Sequence, residues 1–348
     1  MRYNISFSLI NFGKNPPLAI TYSPLPKIMQ CPNCGSQVES RDRFCEECGE
    51  SLIKSVNNKP GCNKCGAPAE EIDNEGFCSV CGFHNKIRET DHIEINIDVK
   101  LGGVSDVGVK RRENQDFLAC AKVEEKNTAI LVVCDGISSS QTPELAAKAA
   151  AEITCQSLVN YVKNNVELNQ AIPDTIAASL ESICQIPYTN EIENAPATTI
   201  VAAIVQDQMA KIFWLGDSRA YWISREDSQI LTVDHSWVNE MVASGKMTAE
   251  DALQSEYAHA ITRWLGADMG DEIQLSFVDF KIPGSGYLLL CSDGLWNYTP
   301  DAQTIAHLVY ETTSDEEAVT LSRRLVEWAR SQGGHDNITV AILSLLDS

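Results

Sequence analysis

From Val99 onward the chain alternates short apolar runs with polar turns. "TAILVVC", "ATTIVAAIV", "KIFWLG", "RAYWIS" and "YLLLC" are rich in β-branched and aromatic residues, and turn formers separate several of them, the pattern of buried strands. "KIFWLG" and "RAYWIS" follow each other with no room for a helix, which points to largely antiparallel sheets with helices packed outside, an α+β fold. Two longer stretches read as helices, Pro143 to about Asn164 and Glu316 to about Gln332. In the second, Leu321, Leu325 and Trp328 recur at helical spacing, and Gly333 and Gly334 stop it. Both apolar stripes read as core.

Upstream the pattern changes. Eight of the 13 cysteines lie between Cys31 and Cys81, in two tandem units, "CPNCGSQVESRDRFCEECG" and "CNKCGAPAEEIDNEGFCSVCG". Each unit is C-x2-C, a spacer of ten or twelve residues, then C-x2-C. Glycine follows every second cysteine, where a tight turn lets backbone amides point at the sulfurs. Cys31, Cys34, Cys45 and Cys48 make one candidate tetrahedral site, and Cys62, Cys65, Cys78 and Cys81 the other. Segments this short need such a metal to fold. The units resemble zinc ribbons and imply two structural Zn2+; iron in the same ligands, disulfides or a redox C-x2-C are the chemical rivals.

From Met29 to His84 five Lys and Arg face nine Asp and Glu, so nucleic acid is disfavoured and a protein-docking or spacer role is expected. The organised sequence begins at Met29. Residues 1–28 lack an unbroken apolar segment and read as disordered or as an over-extended reading frame, with Met29 the true start.

At 348 residues and 44% apolar, the chain can bury a full core beside a small module. Its net charge of −21 disfavours nucleic acid and anionic membrane as partners and suits cations. Cys120, Cys134, Cys155, Cys184 and Cys291 are dispersed in apolar or helical settings, which with the zinc spacing suggests a reducing, cytoplasmic setting. The expected organisation is an N-terminal extension (1–28), tandem ribbons (29–84), a polar linker (85–95) and a second domain (96–348).

Four segments of that domain set a carboxylate at a strand end: Asp135 after "AILVVC", Asp217 in "LGDSRAYW", Asp293 after "YLLLC", and Asp336 before "NITVAIL". Any one of them suits a turn. With "RRENQD", "VVCDG", "LGDSRAYW", "LTVDHS", "TRWLG", "LLLCSDGLW" and "GGHDNITV" in order, the stretch from about Val99 to Leu346 resembles the protein phosphatase 2C family of metal-dependent Ser/Thr phosphatases. The resemblance implies a four-layer α-β-β-α sandwich of two mainly antiparallel sheets, with a two-metal site at one end.

By the same resemblance Asp135 bridges both ions and Gly136 lends its carbonyl to one. Asp293 and Asp336 complete the other ion's ligands, Asp116 holds water beside the metals, and Asp217 helps bind a third, weaker ion. Carboxylates, a carbonyl and water, without Cys or His, suit Mn2+ or Mg2+. A metal-bridging hydroxide would then attack phosphoserine or phosphothreonine in a protein, opposing a Ser/Thr kinase. Arg111 matches the phosphate-binding arginine, with Arg112 its neighbour and competitor.

Four positions depart from the family pattern. Gln115 stands in place of an acid, "DGISSS" puts Ile137 and serines where D-G-M-G-G or D-G-H is usual, Ala197 precedes the two threonines, and "SEYAH" (Ser255 to His259) replaces H-P-x-R-N. The alternative reading is a catalytically silent phosphatase-fold binding module.

Overall fold

A computed structural model describes residues 28–30, 36–39, 62, 66–73, 76–82, 89–189, 194–267, 273–311 and 316–346. The chain divides into two compact units, one spanning Phe7–Lys86 and one containing Ile87–Ser348. In the smaller, β1 (Ile28–Gln30) pairs antiparallel with β2 (Gln37–Glu39). Residues 1–27 and Cys31, Cys34, Cys45, Cys48 and Cys65 lie outside the described residues.

The larger unit opens with β3 (His92–Asp98), β4 (Leu101–Asp106), β5 (Asp116–Val123) and β6 (Thr128–Asp135), then helices α1 (Pro143–Lys163) and α2 (Leu168–Cys184). Short β7 (Ala197–Thr198) leads into β8 (Ile200–Gln206), β9 (Met209–Leu215), β10 (Arg219–Ile223) and β11 (Gln229–Ile230). Helices α3 (Trp237–Ala243) and α4 (Ala249–Leu253) precede β12 (Leu265–Gly266), β13 (Ser276–Lys281) and β14 (Tyr287–Cys291). The chain closes with α5 (Asp293–Trp296), α6 (Ala302–Tyr310), α7 (Ala318–Ser331) and β15 (Ile338–Ser344).

Two sheets form the centre, one of six strands in the order β11-β10-β14-β15-β4-β3 and one of five in the order β13-β9-β8-β6-β5. Every pairing within them is antiparallel. Strand β6 explains why its run is apolar throughout. Ile130, Val132 and Cys134 face α1 and α2, while Leu131 and Val133 face the other sheet, so both faces are covered. Strand β14 divides the same way: Leu288 and Leu290 lie between the sheets, and Leu289 and Cys291 pack toward α6 and α7. The layers are therefore helix, sheet, sheet, helix, as the resemblance implies.

Helices α1 and α7 lie within two residues of the stretches read as helical. Helix α2 is legible only in the fold. Pro173 inside it reads as a breaker, yet Ile172, Ile176 and Ile183 dock on the α1 side, and buried Thr154 and Ser179 hydroxyls pair at 2.9 Å. Strand β3 begins at His92, inside the stretch read as a polar linker. Its polar members have partners: Glu94 is only 7% exposed because Arg323 of α7 grips both its oxygens, at 2.7 and 2.9 Å.

Candidate active site

One end of the sandwich gathers the strand-end carboxylates. Asp116 opens β5 directly opposite Asp135, the last residue of β6. Asp293 begins α5 just after β14, Asp336 stands two residues before β15, and Asp217 lies in the turn between β9 and β10. The backbone is tight there. A Cβ on Gly136 would lie 2.6 Å from the Pro143 carbonyl oxygen and 2.7 Å from that of Gln115, so only glycine lets β6 turn away at this point. A Cβ on Gly294 would lie 1.9 Å from the Asn337 carbonyl oxygen, which is how α5 comes to rest on the Asp336 segment.

Hydroxyls and amides fix the carboxylates from behind. Asp116 Oδ2 accepts from Ser292 Oγ and Thr339 Oγ1, both at 2.7 Å. Asp116 Oδ1 is buried with no hydrogen-bond partner among the described residues. Thr199 holds the Asp135 backbone, its hydroxyl accepting from the amide at 3.1 Å and its amide donating to the carbonyl at 2.7 Å. Asn337 Oδ1 accepts from the Gln115 amide, and its Nδ2 donates to the Val107 and Glu113 carbonyls, clamping the loop that carries Arg111. Around Asp217, the Trp296 indole donates to the backbone carbonyl at 2.9 Å; Arg219 stacks on that indole at 3.8 Å and forks onto Asp234.

The electrostatics follow from this crowding. Burial first, then the charges of Asp116, Asp293, Asp217 and Asp336, push Asp135 well above the usual carboxylate range. Asp293 is raised for the same two reasons. Asp116 rises to about 6, driven by burial and opposed by its two hydroxyl donors. Asp217 also rises to about 6, from burial and then Asp234. Arg111 reaches the group, its Nη2 2.6 Å from Asp336 Oδ2, and the Arg219 charge opposes part of the rise at Asp217.

Arg111, Asp116, Asp135, Gly136, Asp217, Asp293 and Asp336 are thus brought to one edge of the sandwich. Ser292, Thr339, Asn337 and Thr199 were not singled out in the sequence. Their only signal is adjacency, since they sit inside "CSDG", "DNIT" and "ATT" beside or across from the acids. A donor set of converging carboxylates, a peptide carbonyl and one orphaned buried oxygen fits a hard divalent cation. The charges of these carboxylates act on one another, and they repel unless a cation or protons intervene.

In the smaller unit the sulfurs of Cys62, Cys78 and Cys81 lie within 4.8 Å of one another, with Cys62 and Cys81 at 3.5 Å. Tetrahedral thiolates about 2.3 Å from one zinc stand roughly 3.8 Å apart, so the spacing fits. Gly66 and Gly82 adopt φ of +72° and +70°, and their amides donate to the Cys62 and Cys78 carbonyls at 2.9 and 2.8 Å. Two knuckles with matching turns result.

The protein phosphatase 2C family model matches residues 109–330, and a zinc-ribbon domain model matches residues 29–52. Protein phosphatase PhpP of Streptococcus pneumoniae is 32% identical over 252 residues, covering 71% of this chain and 98% of that protein. The crystal structure of serine/threonine phosphatase Stp1 from Staphylococcus aureus superposes with a TM-score of 0.60 at 25% identity, covering 75% of this chain and all of that one. The catalytic domain of the serine/threonine protein phosphatase PstP, solved with two manganese ions, shares the fold at 23% identity and a TM-score of 0.55, covering 71% of this chain and 98% of that one.

Proposed function

Because the chain belongs to the protein phosphatase 2C family and is a serine/threonine phosphatase of that type, we propose that it hydrolyses phosphoserine and phosphothreonine in proteins at a binuclear Mn2+ or Mg2+ site. The observation that carries this reading is the convergence of Asp116, Asp135, Asp217, Asp293 and Asp336 around one orphaned buried oxygen, with Arg111 at the rim. In this reading Asp135, the Gly136 carbonyl, Asp293 and Asp336 would hold the two ions, and Asp217 would help hold a third, weaker one. Such cations supply Lewis-acid activation of a water nucleophile and neutralise charge on the transferring phosphoryl group.

The chain's own residues do the rest. Asp116, steadied by Ser292 and Thr339, keeps Oδ1 free to orient and accept a proton from water beside the ions. Arg111 supplies a planar fork for two phosphoryl oxygens, which positions the ester and offsets charge in the transition state. Ile137 offers no proton, so solvent protonates the leaving alkoxide. The substrate is a phosphoprotein made by an opposing kinase, in a cytoplasmic setting, and the ribbons, each holding a structural Zn2+, dock a protein. A catalytically silent module gains nothing from an acid cluster this crowded.

The test is hydrolysis of para-nitrophenyl phosphate and of a phosphothreonine peptide by the full chain. Activity is expected with added Mn2+ and none after chelation. Metal-independent turnover, or turnover unchanged in Asp135→Asn, would overturn the reading.

A further inference from the structure

Two of the departures from the family pattern meet in space. Ser138 Oγ, from the serine run after Gly136, donates to Gln115 Oε1 at 2.8 Å. The same oxygen accepts from Arg111 Nη1 at 3.4 Å, while Arg111 Nη2 holds Asp336 Oδ2 at 2.6 Å. At the far end Gln115 Nε2 reaches Glu113 Oε1 at 3.5 Å. A hydroxyl has one proton to give and lone pairs to receive, and an amide has one acceptor end and one donor end. The chain Glu113, Gln115, Ser138, Arg111, Asp336 therefore runs with every donor facing an acceptor.

We propose that Ser138, oriented by Gln115, is a positioning residue that holds the Arg111 guanidinium in its phosphate-binding pose. Arg111 is exposed on a loop, and a long exposed side chain loses rotamer freedom whenever it binds a phosphoryl group. Asp336 anchors one of its terminal nitrogens, and Ser138 restrains the other. A glycine at 138 has no group to offer. The amide at 115 is equally specific. A glutamate there would set two carboxylates against each other at the Glu113 contact and add a further charge beside five acids. Glutamine keeps the acceptor for Ser138 and removes both penalties.

The inference rests on the phosphatase reading above and is tested so that the two fail separately. The full chain, loaded with Mn2+, is titrated with inorganic phosphate by calorimetry, in parallel with ester kinetics. Ser138→Ala is expected to weaken phosphate binding about fivefold and raise KM similarly, the loss of roughly one hydrogen bond to a charged group. Ser138→Thr, which keeps the hydroxyl, should restore both, and the thermal midpoint should not move. In an Arg111→Ala background, Ser138→Ala should change phosphate affinity by less than about 1.5-fold, since its partner is gone. Wild-type phosphate affinity in Ser138→Ala, or an undiminished effect without Arg111, would overturn the proposal and leave the phosphatase reading intact. A wild-type protein without ester hydrolysis overturns that reading first, and this one with it.

Discussion

The thiolate cluster of the smaller unit and the carboxylate cluster of the larger solve one problem, holding ligands together, in opposite ways. Cys62, Cys78 and Cys81 come from two knuckles within twenty residues of chain, shaped by short turns with left-handed glycines. Asp116, Asp135, Asp217, Asp293 and Asp336 span about 220 residues and meet only because two sheets align their strand ends. In the first case a metal bound by the thiolates would contribute the folding energy; in the second a core already folded presses like charges together. The lesson is that removing a ligand should unfold the one and silence the other.

The largest effect expected from that contrast is in the sandwich. Asp135→Asn should lower Mn2+-dependent ester turnover by about three orders of magnitude or more, the scale of losing a group that stabilises the transition state. Its thermal midpoint should stay level or rise, since one of the crowded buried charges is gone. Kinetics paired with calorimetric melting checks both, and a large fall in midpoint would mean that the carboxylates hold the fold together.

Next is Cys78→Ser, or a strong chelator applied to the wild type. Proteolysis should then cleave the smaller unit while the larger stays intact, and zinc content should drop from two ions per chain to one in the variant. Hydrolysis of a small ester, re-supplied with Mn2+, should remain within about twofold, because no proposed catalytic group lies in that unit. Iron in place of zinc, or lost ester turnover in a folded protein, would break the contrast.

Where the larger unit begins can be located by truncation. A chain starting at Ile87 should keep near-full ester turnover. One starting at residue 96 removes His92 and Glu94 and with them the Arg323 fork, and is expected to be less stable by roughly 1.5–3 kcal/mol or to fail to fold. Denaturant midpoints of the two chains measure the difference.

The smallest effect is on pH. Arg323, then His92, holds the Glu94 carboxyl down at about 2 from its ordinary 4.5, so its contribution is full above about 4.5 and is lost as pH falls toward 2. The Asp106 carboxylate, 2.7 Å from Nδ1, raises His92 above 6.5. The His92 contribution is full below 6.5 and fades as pH climbs through its raised value. His92→Gln should accordingly destabilise more at pH 6 than at pH 9, by about 1 kcal/mol or less. Equal melting shifts at both values would show that the ring acts through packing alone.

Local spacing made the cysteine units, the apolar runs of both sheets, and helices α1 and α7 legible, because each depends on residues a few positions apart. The acids were individually visible as turn residues after strands, and their order along the chain carried the family resemblance. What stayed hidden has a common cause. Helix α2 tolerates Pro173 because Ile172, Ile176 and Ile183 bury against the α1 side, and β3 tolerates Glu94 because Arg323 arrives from 229 residues away. Ser292, Thr339 and Asn337 gain their roles from groups across the sandwich. The pairing of Gln115 with Ser138 depends on β5 and β6 setting Asp116 opposite Asp135, which brings the segment after β6 up to the residue before β5. Periodicity and spacing report what a residue needs from its neighbours in the chain. Only the folded sandwich supplies the partners that let polar side chains go into its interior, since a buried donor or acceptor is stable there only once its counterpart is in place.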